Sequence, residues 1–401
     1  MRPFTQTLSL DEALARLEAV ATTVEGTERL ALDEASGRVV AQSAIATRDV
    51  PPFDRSAMDG YAVLAADLSG ATDLAPVGLA LAGAVYTGDA PTARMEPGTC
   101  FEVATGAPVP AGADAVVMVE DTSREGNQVR FRQPVRLRQN ITSRGSDVRA
   151  GEAALSAGDL LTPARLGALA AVGLAVVDVY RKPVVAIAST GNELVEPGQP
   201  AGPGQIYDIN RHTLKALVEQ HGGVARLHRS AADDLDGLRQ AIDGMHAADL
   251  IVLSGGSSVG ARDLVVDLVR ERGEVVFHGI AVKPGKPTLL ATLGRQLLLG
   301  MPGNPTSCLS NGYILLVPLL RRMARLPAWR PERVRAPLAT TIASRAGRHQ
   351  FYSVRLEDGR VHPAFKGSGD ITSLSRADGY IEIPANVDRV DEGTEVVVTL
   401  F

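Results

Sequence analysis

Four short loops of the chain combine glycine or proline with residues that bind anions. Two of them are "STGNEL" (189–194) and "LSGGSSVGARD" (253–263), and the others are "KPGKP" (283–287) and "MPGNPTS" (301–307). Glycine lets the backbone approach a ligand closely, and the free N–H groups at a helix start attract negative charge. Together the loops predict a site for a phosphate or another oxyanion.

The second loop shows the pattern most fully. Gly255 and Gly256 allow a tight turn, and Ser257 and Ser258 add hydroxyl donors before the next helix. Taken alone, a glycine-rich turn with serine caps is the simpler explanation. The loop is not a Walker P-loop, because no Lys-Ser/Thr pair follows its last glycine, and it is not a GxGxxG loop. Likewise, Lys283 and Lys286 taken alone are explained equally well as exposed residues of a solvated turn.

Acidic residues accompany the loops: Glu193, Asp208, Asp233, Asp234 and Asp263. Carboxylates beside phosphate sites commonly hold Mg²⁺, which bridges phosphate oxygens. Each one singly is also explained as a helix cap or an exposed charge, and Asp208 and Asp234 have helix-start positions. Glu193 and Asp263 follow the glycine turns directly, so we predict them as the Mg²⁺ ligands.

Other chemistries lack their signatures. The seven histidines are scattered without an HxxxH or HExxH pattern, which argues against zinc. Cys308 falls inside a predicted helix and reads as a core residue.

The elements that position the loops alternate between strand and helix from 182 to 325. Helices are predicted at Asn210–His221, at Leu235–His246 and from Pro305, and strands at Val224–His228 and "DLIVLS". Such alternation predicts a mostly parallel sheet with helices on both faces, whose ligands lie beyond the carboxyl ends of the strands.

The segments on either side of this region have other patterns of predicted secondary structure. Residues 9–20 predict a helix with Ser9 as N-cap and Glu12 completing a capping box. Residues 44–138 read as β structure, residues 162–174 as a second helix, and the last 75 residues as a small β domain. We expect the two helices to pack together, which makes the β region between them an insertion.

Composition bounds the class of protein. The chain has 401 residues with a net charge of −5, which argues against nucleic acid or an anionic membrane as its main partner. Only Cys100 and Cys308 are present, so a disulfide scaffold is not expected and a reducing cytoplasm fits. The N-terminus lacks the apolar core of a signal peptide, and the most apolar stretch, 166–179, is too short to span a bilayer.

These four loops and several further segments resemble the MoeA family of molybdopterin molybdenumtransferases, which includes the E domain of gephyrin. They follow the family's order over nearly the whole chain: "PPFDRSAMDGYAV" (51–63), "ATGAPVPAGADAVVMVED" (104–121), "STGNELVEPG" (189–198), "GQIYD" (204–208), "LSGGSSVG" (253–260), "VKPGKPT" (282–288) and "MPGNPTS" (301–307).

The resemblance implies a multidomain α/β plus β protein. An elongated discontinuous helical/β domain would comprise 1–46 and 141–180, with a β-rich domain, 47–140, inserted into it. A MogA-like three-layer α/β domain (181–327) and a small C-terminal β domain (328–401) would follow. The family forms homodimers, in which the inserted domain of one subunit completes the cleft of the other.

The resemblance also implies a reaction. Family members bind adenylated molybdopterin and molybdate, require Mg²⁺, cleave the adenylate to release AMP and insert molybdenum. MogA-type adenylyltransferases and recipient molybdoenzymes are the implied protein partners. The implied catalytic residues are Asp59, Thr105, Glu193, Asp234 and Asp263, with Asp147 at a further acidic position. The implied substrate- or anion-binding residues are Gly255, Gly256, Ser257, Ser258, Lys283, Lys286, Pro302, Pro305, Ser368 and Ser373.

One departure from the family concerns "RHQFYSVR" (348–355), where members show R-x-E-F-x-R. Gln350 replaces the acid and Ser353 the final arginine, a candidate molybdate contact, so Arg348 or Arg355 would have to compensate. Two alternatives to an insertase therefore stay open. A carrier would bind the pterin without turnover, and an adenylyltransferase would act on free molybdopterin, although the "SAMDGYA" and "TGAPVP" motifs argue against the latter.

Overall fold

The structure is a computed structural model that describes residues 7–90, 94–228, 234–255, 264–344 and 346–401. The backbone divides into two units. One comprises residues 29–179, and the larger comprises residues 1–28 with 180–401. Within the described ranges, no helix is long and apolar enough to cross a membrane.

The first helix, α1 (Leu10–Val20), begins at the predicted capping box. The Ser9 hydroxyl accepts a hydrogen bond from the Glu12 amide at 3.3 Å, and the Glu12 carboxylate accepts one from the Ser9 amide at 2.9 Å. Its buried Leu17 belongs to the core of the larger unit. The expected packing against the helix at 162–174 is therefore wrong, because the apolar face of α1 is covered by the α/β region.

The smaller unit is built mainly from β structure. Its strands are β1 Thr27–Ala31, β2 Ala44–Ile45, β3 Arg55–Ser56, β4 Gly60–Val63, β5 Val77–Val85, β6 Thr99–Val103, β7 Ala115–Met118, β8 Thr122–Glu125, β9 Gln128–Phe131, β10 Ile141–Thr142, β11 Ala153–Leu155 and β12 Val176–Tyr180. The core sheet has the strand order β7-β4-β6-β5-β9-β8, in which only β5 and β6 pair in parallel. Helix α2 (Pro163–Ala171) begins after the N-cap Thr162.

The α/β part of the larger unit follows the predicted alternation, with element ends within three residues of the expected ones. Its strands are β13 Val184–Ser189, β14 Leu194–Val195, β15 Ile206–Tyr207, β16 Val224–Leu227, β17 Leu250–Ser254, β18 Glu274–His278, β19 Val282–Lys283, β20 Leu289–Leu293 and β21 Gln296–Met301. Its helices are α3 Asn210–Gln220, α4 Leu235–Asp243, α5 Leu264–Arg272, α6 Pro305–Asn311 and α7 Val317–Met323. A π-helical turn, Gly312–Leu316, joins α6 to α7 into the long helix predicted from Pro305.

The main sheet has the order β16-β13-β17-β21-β20-β18. Its first four strands are parallel, as predicted, whereas β20 is antiparallel to both neighbours. Only Gly294 and Arg295 separate β20 from β21, which is too short for the crossover that parallel strands need. Since β18 is antiparallel to β20, it runs in the same direction as β21. The carboxyl ends of β13, β17, β21 and β18 therefore share one edge of the sheet.

The C-terminal part contains strands β22 Arg333–Pro337, β23 Ile342–Ala343, β24 His349–Glu357, β25 Arg360–Pro363, β26 Gly379–Ile383, β27 Arg389–Val390 and β28 Glu395–Leu400, and the short helix α8 Thr372–Ser375. Its main sheet has the order β19-β24-β26-β28-β22. Strand β19, from the lysine loop, pairs in parallel with β24, so this sheet includes part of the α/β chain. Val354, Val361, Ile381 and Val398 form its core.

The turn after β17 needs glycine at its first position. Gly255 has φ +91°, and a Cβ there would lie 2.6 Å from the Thr190 carbonyl oxygen. We expect Gly255→Ala to destabilise the fold by about 3 kcal/mol, because left-handed strain of about 1–2 kcal/mol adds to a backbone clash. The measurement is the midpoint of urea unfolding.

The matched control is Gly294→Ala in the β20–β21 turn. Gly294 also has a positive φ, +62°, but no atom lies within 4 Å of the Cβ position. Gly294→Ala should lower the free energy of unfolding only by the backbone strain, about 1–2 kcal/mol. Equal losses for the two variants would contradict the proposed close approach at Gly255.

A buried histidine links stability to pH. Burial, with Arg321 nearby, lowers the pKa of His221 from 6.5 to about 4, and its ring packs edge-on against Trp329 at 5.6 Å. The folded state favours the neutral ring of His221. Its contribution to the free energy of unfolding is therefore complete above pH 6.5 and is lost as the pH falls toward 4. We expect His221→Phe to lose less stability than the wild type over this interval.

Fluorescence of Trp329, the single tryptophan, reports the urea midpoint at each pH. His246→Gln, at an exposed position beyond α4, is the control. Its urea midpoint should change with pH as steeply as that of the wild type. An unchanged slope in His221→Phe would show that this ring does not set the acid sensitivity.

Candidate active site

A cavity of about 950 Å³ opens at the shared carboxyl edge of the main sheet. All four loops predicted from the sequence contribute to its lining, together with residues of the C-terminal sheet. A volume of this order suits a small-molecule ligand. The described lining includes Thr190, Glu193, Tyr207, Asp208, Gly255, Lys283, Lys286, Pro302, Pro305, Arg348, Phe365 and Ser368.

The lysine turn is fixed by a buried asparagine. Asn311 of α6 donates hydrogen bonds from Nδ2 to the Gly285 carbonyl at 2.8 Å and to the Thr288 hydroxyl at 2.6 Å. Gly285 has φ +102°, and a Cβ there would lie 2.4 Å from Asn311 Oδ1. The half-buried Lys283 and Lys286 are therefore presented to the cavity from a rigid turn.

Ser368 and Ser373 have different positions. Ser368 lines the cavity, accepts a hydrogen bond on Oγ from Asn304 Nδ2 at 3.1 Å, and accepts one on its carbonyl from the Thr306 amide at 3.1 Å. Ser373 is fully buried, and its Oγ accepts a hydrogen bond from the Lys366 amide at 3.0 Å. Ser368 can contact a ligand, whereas Ser373 shapes the loop that carries Ser368.

Asp208 lies in a buried polar layer under the cavity. Its Oδ1 accepts hydrogen bonds from Ser189 Oγ at 2.9 Å and from the Arg211 amide at 3.2 Å, and its Oδ2 lies 3.3 Å from Arg211 Nε. Asn210 donates from Nδ2 to Ser254 Oγ at 2.7 Å. This arrangement balances the buried charge of Asp208 and supports the start of α3.

The predicted acidic ligands are only partly brought together. Glu193 is exposed and lines the cavity, and its carbonyl accepts a hydrogen bond from the Ile206 amide at 2.9 Å. Asp234 is the N-cap of α4, accepting from the Gly237 amide at 2.7 Å, and is not among the described lining residues. Five residues named from the sequence lie outside the described residues: Asp233, Gly256, Ser257, Ser258 and Asp263.

The donor set limits what a metal could be. Within the described ranges, no group of three histidine, cysteine or acidic residues is placed to hold a metal ion. Glu193 offers a single exposed carboxylate to the cavity. A single exposed carboxylate fits Mg²⁺ that would keep most of its waters, and it does not fit an all-protein cage.

The sequence reasoning missed an apolar wall. Ile206 and Tyr207 form β15 and line the cavity with exposed fractions of 57% and 46%, and Phe365 also contributes to the lining. Large apolar side chains left exposed inside a polar cleft offer a surface to a flat ring. The signal was present in "GQIYD", whose apolar pair precedes Asp208, but these residue types carry no acid, base or anion chemistry.

In the smaller unit, Asp59 and Thr105 form a pair on exposed loops. Asp59 Oδ1 accepts hydrogen bonds from the Thr105 amide at 2.7 Å and the Thr105 hydroxyl at 2.9 Å. These hydrogen bonds lower the pKa of the Asp59 carboxyl. Asp59 is therefore ionised at neutral pH. The pair joins the "SAMDGYA" motif, which contains Asp59, to the "ATGAPVP" motif, which contains Thr105. Asp147 of the same unit is exposed.

The departure at the C-terminal sheet leaves a buried serine. Ser353 is 2% exposed, and its Oγ has no hydrogen-bond partner among the described residues. It lines a second, smaller cavity with Phe365 and lies outside the described lining of the main one. Arg355 lies 3.4 Å from Glu357, whereas Arg348 lines the main cavity. Of the two arginines considered, only Arg348 is at the cavity.

Comparison with known proteins matches three family models along the chain. They are the MoeA N-terminal region, domains I and II, at residues 8–173, a probable molybdopterin binding domain at 186–322, and the MoeA C-terminal region, domain IV, at 335–401.

Two curated relatives and one solved structure match over most of this chain and most of their own length. Molybdopterin molybdenumtransferase of Haemophilus influenzae is 34% identical over 98% of both chains. Molybdopterin molybdenumtransferase 2 of Mycobacterium tuberculosis is 37% identical, over 92% of this chain and 93% of its own. The crystal structure of the molybdopterin biosynthesis MoeA protein from Pyrococcus horikosii is 38% identical and covers 98% of this chain and 99% of its own, with a TM-score of 0.85. The multidomain fold is thus that of MoeA, and the chain belongs to the MoeA family of molybdopterin molybdenumtransferases.

Proposed function

We propose that this protein inserts molybdenum from molybdate into adenylated molybdopterin, with Mg²⁺-dependent cleavage of the adenylate and release of AMP. The observation that carries the proposal is the single cavity into which the lysine turn, the Glu193 carboxylate and the apolar wall all project. This combination suits a ligand with a flat ring and negatively charged oxygens. Family membership supports molybdopterin as that ligand.

The residues divide the work by their chemistry. Lys283 and Lys286 bind the oxyanions, molybdate or the adenylate phosphate, as point charges on a rigid turn. Tyr207 and Ile206 pack against the pterin ring, and the Ser368 hydroxyl donates a hydrogen bond to an anion oxygen. The glycine at 255 lets the backbone come close to the ligand.

Magnesium is proposed as the cofactor, with Glu193 and Asp263 as its protein ligands. Bound there, Mg²⁺ would offset charge on the leaving phosphate. The exposed position of Glu193 in the cavity supports its part in this set. Asp234 remains a proposed catalytic residue, and its capping of α4 would also fix the start of that helix.

We also propose a homodimer, in which Asp59 and Thr105 of one subunit act at the cleft of the other. The ionised and exposed state of Asp59 supports a role in ligand chemistry. The four-domain division stays a proposal, and helix α1, which it assigns to the first domain, packs with the core of the α/β region. Two buried, unpaired cysteines support a cytoplasmic location, and a MogA-type adenylyltransferase and molybdoenzymes are the proposed supplier and recipients.

The function is tested by incubating purified protein with adenylated molybdopterin and Mg²⁺ and measuring AMP. We expect AMP release that molybdate stimulates and that removal of Mg²⁺ abolishes. A known insertase in parallel verifies the substrate. No release under any metal condition would contradict the proposal.

The buried Ser353 favours one alternative, a carrier that binds the pterin without chemistry. Tight binding of the adenylated pterin without AMP release, under conditions in which the known insertase works, would establish the carrier.

The role proposed for Asp59 is tested by Asp59→Asn. This variant keeps the shape and one acceptor oxygen but removes the charge. We expect turnover to fall at least about 100-fold, because positioned acid, base and charge contributions are of this size, while the Tm changes little.

Asp73→Asn, at an exposed loop position of the same unit, is the control and should keep wild-type turnover. A Tm lowered by many degrees in Asp59→Asn, with activity that follows the folded fraction, would instead identify Asp59 as a structural cap.

A further inference from the structure

The segment that carries most of the apolar wall has little sheet structure of its own. Strands β14 and β15 pair in parallel as a separate two-stranded sheet, with Leu194 opposite Ile206 and Val195 opposite Tyr207. A pair of such short strands is marginally stable at best in water. The wall segment, residues 193–207, therefore depends on contacts with the rest of the α/β region to keep its position at the cavity.

Glu196 supplies such a contact from just beyond β14. Its carboxylate accepts a hydrogen bond from Nη2 of Arg211, the second residue of α3, and its Oε1 lies 3.5 Å from His212 Nε2. Helix α3 packs into the core of the α/β region through Leu214 and Leu217. The ion pair therefore joins the wall segment to the start of a well-packed helix.

Arg211 is held in place independently of Glu196. Its side chain is 8% exposed, and its Nη1 donates to the His228 carbonyl at 2.8 Å. Its Nε lies 3.3 Å from Asp208 Oδ2, yet neither atom has a hydrogen-bond partner among the described residues. Glu196 therefore supplies a carboxylate that hydrogen bonds to this guanidinium, and a hydrogen bond between charged groups is about twice as strong as one between neutral groups.

We propose that Glu196 is a positioning residue that fixes the apolar wall of the cavity through its ion pair with Arg211. Glu196 is not among the described lining residues, so it acts on a ligand through Ile206 and Tyr207. This effect rests on the proposed function, which supplies the flat ring that these side chains contact. A wall that is fixed in advance strengthens binding, because less ordering is required when the ligand enters.

The test compares wild type, Glu196→Ala and Glu196→Gln by native-state hydrogen exchange of the full chain, read by mass spectrometry. The peptide 193–208 contains the amides of Ile206 and Asp208, which donate to carbonyls of the wall segment. We expect Glu196→Ala to speed their exchange about tenfold, as loss of a hydrogen bond between charged groups predicts, and Glu196→Gln to be intermediate. The peptide of α3, Asn210–Gln220, should keep its wild-type exchange.

The matched control is Glu219→Ala. Glu219 also pairs with a cation of α3, Lys215 at 2.6 Å, but it is exposed and lies outside the described lining of the cavity. This variant should leave the exchange of the wall segment unchanged.

Turnover gives a second readout that a purely structural role would not produce. Glu196→Ala should raise the KM for adenylated molybdopterin severalfold, because only molecules with the wall in place bind the ring. Its kcat should stay within about twofold of the wild type, since the wall contacts the ligand equally before and during the reaction. Glu219→Ala should keep both constants.

The outcomes separate this role from the function. If wild type releases no AMP but Glu196→Ala selectively speeds exchange of the wall segment, the function is wrong and the positioning role holds. If AMP release works and Glu196→Ala leaves either the exchange of the wall segment or the KM at its wild-type value, the function holds and the role is overturned. Equally faster exchange in the wall segment and α3, or the same change in Glu219→Ala, also overturns it.

Discussion

The cleft depends on how the turn that carries Lys283 and Lys286 is held. From one side, Asn311 binds the Gly285 carbonyl and the Thr288 hydroxyl inside the fold. From the other side, the β19–β24 ladder joins the turn to the C-terminal sheet. Cations brought close together repel one another, so the site needs a backbone that holds them without help from the ligand. Such preorganised charge stabilises an anion more than mobile charge does, because little reorganisation is needed on binding.

The direction of four strands places the lysine turn at the same edge of the main sheet as the other three loops. The β20–β21 turn is too short for a crossover, so β20 reverses and β18 runs with β13, β17 and β21. Beneath the cavity, Oδ2 of the buried Asp208 lies 3.3 Å from Arg211 Nε, and Arg211 also pairs with Glu196. Asp208 accepts a hydrogen bond from the Arg211 amide, so this layer supports the start of α3 under the cavity.

Local chemistry was predictable from the sequence, and long-range contacts were not. The capping box at Ser9 and the alternation of strands and helices depend on residues close in sequence, and the structure confirms them. Described residues of all four loops line one cavity, whereas the oxyanion that they bind stays a prediction. The packing of α1 and the approach of Arg348 to the lysine turn depend on pairings between distant segments, which no local pattern encodes. The apolar wall that contains Tyr207 was missed for another reason. Apolar side chains usually pack in a core, so their residue types do not predict ligand binding until the structure shows them exposed in a cleft.

The central claim is that these loops form one oxyanion site, and anomalous diffraction tests it most directly. Crystals grown with molybdate would be measured on both sides of the molybdenum absorption edge. The account predicts an anomalous peak in the main cavity within contact distance of Lys283, Lys286 and Arg348. A fully occupied molybdate elsewhere on the chain, with none in this cavity, would contradict it.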